Sequence, residues 1–417
     1  MDDLRELPQD ILDVLIVGGG LVGASLAIAL DASGLRVALV ESAAPVPAED
    51  GSRAADPDER NLALARGSVN ALTALGVWTH VAARATTIRG VHVSRKGEFG
   101  VARFHAAAHG LDGFGATVPA RDLGRGLALR LASCNALARI APATLVLLDE
   151  QPDAVLARMR SPTADASVRA RLVVGADGTQ SFVREAVGIG SERIDYAQTA
   201  FVCTAAPQRS LDGVAYERFT ASGPVAVLPL GERRAGIVLT VPAAEAAEVA
   251  AFDDAQFLEL LHERFGFRLG RFTRPGRRVS YPLQRVLAQR LTSARAVLVG
   301  NAAQSIHPIG AQGFNLGLRD ALALAEALID MRRNGADVGA AEGLARYAVG
   351  RRADRDGTVA FSDGLARWTA GEALPLKLLR SFGLVALDRI GPLQDAVVRR
   401  GMGFRGKVPR LALGAPR

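Results

Sequence analysis

The chain has 417 residues, 49% of them hydrophobic, and a formal net charge of +7, enough for two or three structural units with ample core. It contains no run of eighteen apolar residues, so no membrane-spanning helix is expected, and its acidic start Met1-Asp-Asp-Leu-Arg-Glu lacks a secretory-signal pattern. Cys134 and Cys203 are the only cysteines, which excludes a disulfide framework and a Cys-x-x-Cys redox pair and points to a cytoplasmic setting.

The charge is uneven. From Arg380 onward, seven Arg and one Lys stand against Asp388 and Asp395, a balance of +6. Nearly all the excess charge therefore lies in the tail, and no nucleic-acid-binding motif accompanies it.

Leu12 to Val17 is a short apolar run rich in β-branched residues, the pattern of a buried parallel strand. Gly18, Gly20 and Gly23 follow on G-x-G-x-x-G spacing. The first permits a tight turn, the second lets backbone approach a pyrophosphate, and the third lets the next helix pack on the strand. That helix is expected from about Leu21 to Ser33, its positive N-terminal end aimed at phosphates. Gly34 stops it, Arg36 to Val40 forms the second strand, and Glu41 stands where a carboxylate binds ribose hydroxyls. Strand, glycines, helix, strand and acid in order predict dinucleotide binding.

Ser42 to Pro57 reads as an exposed loop. Arg60 then precedes a helix over Gly67 to Trp78 and stands as a phosphate or flavin-edge donor against an ordinary surface ion pair. Thr87 to Phe104 alternates as a hairpin, an antiparallel insert in the nucleotide domain. A further helix starts near Arg121. His92, His105 and His109 do not form a metal spacing.

Leu172 to Val174 is another buried strand, and the Gly175-Ala-Asp-Gly turn displays Asp177 at its carboxyl end, where ligands of open α/β sheets gather. From Ser191 to Tyr281, short strands and one helix over Phe252 to Phe265 describe a mostly antiparallel second domain. A strand then ends at Gly300, and a loop holding Gly310 and Gly313 runs into a helix from about Asn315, offering free N–H groups to an electron-rich ring edge. His307, before a proline in a tight loop, reads as a structural hydrogen-bonder. Helices are expected over Ala321 to Arg333, Ala340 to about Trp368, and Leu374 to Arg400.

Three motifs now stand together: Gly18-x-Gly20-x-x-Gly23, Ala176-Asp177-Gly178, and Gly300-Asn-Ala-Ala…His307-Pro308…Gln312-Gly313-x-Asn315. This set resembles the FAD-dependent aromatic hydroxylases with the fold of para-hydroxybenzoate hydroxylase. Asp58-x-Arg60…Leu75-Gly-Val-Trp78, Thr86 to Ser94, Tyr347-x-x-x-Arg351 and Arg400-Gly-Met-Gly-Phe…Val-Pro-Arg410 resemble its ubiquinone-biosynthesis branch, which includes 2-polyprenyl-6-methoxyphenol hydroxylase. The likeness covers nearly the whole chain. It implies an α/β fold: a Rossmann-like FAD-binding domain with an inserted antiparallel-sheet substrate domain and a helical C-terminal region. The FAD-binding parts are expected over 1–190 and 285–334, the substrate domain over 191–284, and the helical region over 335–417.

The resemblance also implies roles. Gly18, Gly20, Gly23 and Glu41 would hold the ADP part of FAD, and Arg60 and Arg121 its phosphate and ribityl region. Asp177 and Gly178 would serve the motif linked to both FAD and NAD(P)H. Gly300, Asn301 and the loop Pro308 to Asn315 would lie along the ribityl chain and flavin ring, with Pro308, Gly310 and Gly313 beside the ring. Asn301 stands where the wider superfamily has Asp, and Gln304 where it often has His, as in this branch. Gly310-Ala311 inverts the small-residue order the family leads one to expect. No acid, base or metal is assigned.

The implied reaction is hydroxylation of a polyprenyl phenol, with NADH or NADPH and dioxygen, through a C4a-hydroperoxyflavin. Two alternatives stand beside it: a polyprenyl reductase on the same fold, and a flavin-bearing scaffold subunit of a quinone-biosynthesis complex. A polyprenyl phenol lives in the bilayer, so the basic, apolar tail Leu374 to Arg410 is expected to dock on an anionic membrane surface or a partner complex.

Overall fold

The computed structural model describes residues 10–44, 60–231, 233–370 and 373–414; most of the expected loop Ser42–Pro57 lies outside them. The first sheet is built on strand Leu12–Val17, buried along its whole length because both its faces are covered. It pairs in parallel with Val37–Val40 on one side and with Asp165–Gly175 on the other. Leu137–Ile140 and Ala296–Leu298 extend the parallel run outward. The register matters for function: Val17 pairs with Gly175 and Gly175 with Leu298. Three strands therefore end level, and the loops after them, at Gly18, Ala176 and Gly300, emerge along one edge. Three antiparallel strands, Thr144–Glu150, Val155–Arg160 and the short Thr292–Ser293, complete this sheet.

The second sheet has nine strands, centred on the long strand Ser191–Pro207, which is flanked by Val279–Ala288 and Ala235–Pro242. Gly223–Pro229 and Val214–Thr220 follow. Helix Asp254–Phe265, closed by an Asp253 capping box, packs Phe257, Leu261 and Phe265 on the outer face of this sheet.

The hairpin exists, as Gly90–Arg95 and Val101–His105, but it does not belong with the nucleotide sheet. Gly90–Arg95 pairs in parallel with Val214–Thr220, so the hairpin is the edge of the second sheet. A separate three-stranded sheet, which includes the unanticipated strand Asn61–Ala65, bridges the two. Helix Gln312–Arg333 packs on helix Leu21–Leu30 and strand Asn61–Ala65, and helix Ala341–Ala370 packs on Gln312–Arg333. The expected single helix Leu374 to Arg400 is instead two, Leu374–Arg389 and Gly391–Gly401. Ile390 is extended, and Gly391-Pro392 restarts the chain with proline in the first turn, where its missing N–H costs nothing. Among the described residues no helix is long and apolar enough to cross a membrane.

Candidate functional site

The level strand ends gather the three motifs. Gly18 has φ +101°, and a Cβ there would fall 2.5 Å from the Ala176 carbonyl oxygen. Only glycine lets the first loop touch the second. At Gly23 a Cβ would lie 1.9 Å from the Gly18 oxygen, so the helix Leu21–Leu30 seats on its own loop. Gly20 differs: it caps that helix and a Cβ there would meet nothing within 4 Å. The helix has no side-chain cap, which leaves first-turn N–H groups facing that open space. Glu41, at the end of Val37–Val40, accepts the Gly19 N–H at 2.6 Å and the Ala43 N–H at 2.8 Å. Carboxylate oxygens each take two donors, so a ribose hydroxyl still fits.

Asp177 accepts the Ser181 hydroxyl at 2.5 Å and the Val183 N–H at 3.0 Å, holding the turn at the start of helix Phe182–Ala186. Gly178, at φ +85°, again fronts open space. The residue that ties this turn to the third loop was not legible in the sequence. Arg184, 1% exposed, donates to the Thr179 carbonyl at 3.0 Å and to the Ala302 carbonyl at 3.0 Å.

Gly300, at φ +60°, lies against Val22, and a Cβ on Gly317 would come 3.0 Å from the Gly300 Cα. The Gly300 turn and the helix Gln312–Arg333 therefore close on the first turn of the glycine-loop helix. Asn301 is exposed on this edge. Gln304 is a buried node, donating to Asp320 at 2.5 Å and accepting from Arg355 at 3.0 Å. His307, 1% exposed, accepts the Ile309 N–H on Nδ1 at 3.3 Å, which leaves Nε2–H to donate to Gln198 at 3.2 Å. Burial pushes this imidazole down to about 4, outweighing Asp363, so it is neutral. Pro308 and Gly310 are exposed. Gly310 and Ala311 are both left-handed, at φ +68° and +51°, so the inverted pair still makes the turn. The helix from Gln312 has no side-chain cap, and Gly313 in its first turn faces open space.

One expectation is corrected here. Asn315 is buried and spends all four hydrogen-bonding positions on protein. Its oxygen accepts from Ala65 N–H at 2.9 Å and Ser68 at 2.7 Å; its nitrogen donates to Ala63 at 2.9 Å and Ala311 at 2.7 Å. It has no position left for a cofactor. It clamps strand Asn61–Ala65 to the loop Pro308–Ala311 and fixes the left-handed Ala311.

Arg60 and Arg121 come together. The Ala120 N–H donates to the Arg60 carbonyl at 2.8 Å. Both arginines are exposed, and Gly124, one turn after Arg121, fronts Leu21 of the glycine-loop helix. Gly20, Gly178 and Gly313 each front open space, on loops that the contacts of Gly18 with Ala176 and of Gly300 with Val22 draw together, with two helix N-termini that carry no side-chain cap. That set suits a phosphate-bearing dinucleotide.

The inner face of the second sheet meets the third loop. Gln198, Thr220, Gly223 and Pro224 line a narrow pocket with His307 and Ile309. Ala215 and Leu228 pack with Ala63 and Ile88, and a Cβ on Gly236 would meet Asn61. A larger depression of about 410 Å³, lined by Phe201, Asp254 and Arg278, touches none of these loops; Phe201 packs on the sheet's outer face.

Residues 11–362 match the family described as FAD binding domain. The chain is 37% identical to the ubiquinone hydroxylase UbiL of Rhodospirillum rubrum, over 97% of this chain and 94% of that protein. It is 32% identical to the 3-demethoxyubiquinol 3-hydroxylase of Escherichia coli, over 94% of this chain and 98% of that protein. Among solved structures, p-nitrophenol 4-monooxygenase PnpA of Pseudomonas putida DLL-E4 superposes with a TM-score of 0.76 at 22% identity, covering 95% and 99% of the two chains.

Proposed function

The chain belongs to the FAD binding domain family, and from that premise we propose that it hydroxylates the ring of a prenylated, electron-rich phenol in ubiquinone biosynthesis. It is a FAD-dependent aromatic monooxygenase with NADH or NADPH as electron donor. The E. coli relative's name specifies one ring position; for this chain the substrate is proposed at the level of class, the 2-polyprenyl-6-methoxyphenol type included.

The observation that carries the reading is the largely apolar inner face of the second sheet, closed over the His307–Gly313 loop. Bound FAD supplies the activation of dioxygen with electrons from NAD(P)H. The chain's own residues do the rest. Gly18, Gly20 and Gly23 shape the pyrophosphate cradle, Glu41 takes ribose, and Arg60 and Arg121 neutralise phosphate. Pro308, Gly310 and Gly313 present backbone to the ring edge. The sheet face excludes water and fixes the phenol ring, a matter of position and desolvation. In this reading 1–190 and 285–334 serve FAD and 191–284 serves the substrate, with the hairpin 87–104 working with the latter.

We further propose that the tail 374–410 docks this enzyme on an anionic membrane surface, where its substrate resides. The deciding experiment uses full-length, FAD-loaded protein, a short-prenyl methoxyphenol and isotopically labelled dioxygen. Label in the product ring, coupled to NAD(P)H oxidation, is expected. Reduction of a prenyl double bond, or no turnover with any phenol, overturns the reading in favour of a reductase or a scaffold.

A further inference from the structure

Resting on the hydroxylase reading, we propose that Glu217 is the residue that takes the substrate's phenolic proton as the ring is oxygenated and returns it afterwards. The inference starts from strand register. Glu217 pairs with Ala226 and Val93, and Ala226 with Val238. Successive side chains alternate, so Glu217 shares a face with Ala215 and Phe219. Tyr216 points the other way, into the core under helix Asp254–Phe265. Glu217 is therefore on the inner face, toward the Pro308–Ala311 loop.

Its position along that face is bounded on both sides. Two residues one way, the Ala215–Leu228 row packs on Ala63. Two residues the other way lies the row of Phe219 and Pro224, and Pro224 lines the pocket with His307 and Ile309. Each row is about 7 Å from Glu217. Between them, Val93, Glu217, Ala226 and Val238 are all only partly buried, the mark of side chains lining a cavity.

The carboxyl is alone there. Among the described residues the Glu217 side chain has no hydrogen-bond or ion-pair partner. The charged groups on surrounding elements are committed elsewhere. Arg95, on the same face of the neighbouring strand, is 3.0 Å from Glu98, and Arg380 of helix Leu374–Arg389 is 2.5 Å from the same carboxylate. Asp363 of the long helix is held by Tyr196 and Arg285. His307 is neutral. The strands Gly223–Pro229 and Ala235–Pro242 present only Pro224, Ala226, Leu228, Gly236, Val238 and Thr240 on this face. Burial alone pushes the Glu217 carboxyl up to about 7. A partly buried carboxyl with no protein partner is free to meet a ligand donor.

The step balances. As the ring carbon bonds the electrophilic oxygen, the oxidant's O–O bond breaks and its pair stays on the other oxygen, which takes a proton from solvent. The phenolic O–H proton moves to Glu217 Oε, and the pair left on the phenolic oxygen is pushed into the ring. The C–H bond at that carbon then breaks, its pair restores aromaticity, and its proton goes to solvent. Glu217 returns its proton to the phenolic oxygen, and the electrons and dioxygen are those of the parent reaction.

The test compares wild type, Glu217→Gln and Glu217→Asp as FAD-loaded full-length proteins with a short-prenyl methoxyphenol. Wild-type hydroxylation should rise with pH through about 7, and Glu217→Gln should lose that limb and fall roughly 100-fold. FAD content and phenol affinity should stay near wild type, and Glu217→Asp should recover the limb. A wild-type profile flat from pH 6 to 8, or a Glu217→Gln enzyme as fast as wild type, overturns the proposal while leaving the hydroxylase intact. A wild type that hydroxylates no phenol overturns the parent reading instead.

Discussion

Single glycines of the first loop divide into two kinds, and the division is testable. Gly23 is closed in by the Gly18 carbonyl, whereas Gly20 fronts open space with ordinary extended backbone at φ −62° and ψ −178°. Gly23→Ala should therefore lower the stability of the FAD-free protein by about 1–3 kcal/mol through overpacking. Gly20→Ala should cost FAD-free stability less than about 1 kcal/mol, the loss of a better N-cap residue, and weaken FAD binding roughly 10- to 100-fold, because its methyl group meets no protein atom and intrudes on the ligand. Thermal denaturation without FAD, and fluorescence titration with it, separate the two. Equal stability loss in both variants would show that Gly20 also serves packing. At this scale the sequence was most informative, because glycine spacing encodes backbone geometry directly. It was least informative where a side chain's use depends on partners distant in the chain. Asn315 looks like a ligand by motif yet is consumed by Ala63, Ala65, Ser68 and Ala311. Arg184 has no motif signal at all.

Between elements, the determining contact is an ion network joining helix Gln312–Arg333 to helix Ala341–Ala370. Arg319 pairs with Asp354 at 2.8 Å, and Arg351 pairs with both Asp320 and Asp354 at 2.6 Å, all of them buried. This clamp holds the helix that follows the Pro308–Ala311 loop. Burial pushes the Asp354 carboxyl up, but Arg319 and Arg351 outweigh it and bring it below the usual carboxylate range. A depressed folded-state value means the contribution is complete above pH ~4 and is lost as pH falls further. Asp354→Asn should cost about 3–5 kcal/mol at pH 7, since it leaves buried guanidinium charge uncompensated. Its acid-unfolding curve should be flatter than wild type below pH ~4. Denaturant titrations at pH 7 and pH 3 measure both, and parallel curves would remove Asp354 from the clamp. The sequence alone does not pair these charges, because their partners lie on two different helices. The hairpin was misplaced for a related reason. Its alternation fixes two strands, but the strand Val214–Thr220 that receives it is over a hundred residues away.

For the molecule as a whole, the tail is both a structural roof and an exposed surface. Arg380 is 1% exposed and bound to Glu98, and Asp388 holds Arg103 at 2.8 Å, so the helix Leu374–Arg389 is fastened to the hairpin. Arg380 is therefore not part of the basic docking surface expected of the tail. The opposite face is apolar and open. Leu374, Leu378, Phe382 and Val385 fall one turn apart, Leu379 lies beside them, and Ile390, Leu393 and Val397 continue from the next helix, all exposed. Phe99 of the hairpin turn meets Phe382 edge-on with ring centres 5.5 Å apart. Arg389, Arg399 and Arg400 are exposed on the same two helices, and Arg410 is exposed at the start of the short helix Arg410–Leu413. An apolar face with surrounding basic residues suits insertion at an anionic lipid surface, where each cation adds about 1 kcal/mol. Fastening on one side and exposure on the other predict that the two functions separate. The double variant Leu379→Glu, Phe382→Glu should keep FAD and its turnover of a water-soluble phenol, yet lose flotation with phosphatidylglycerol vesicles at low salt. Undiminished flotation would exclude this face as the docking surface. Wild type that ignores vesicles but loses co-purifying quinone-synthesis proteins on the same substitutions would assign the face to a protein complex instead.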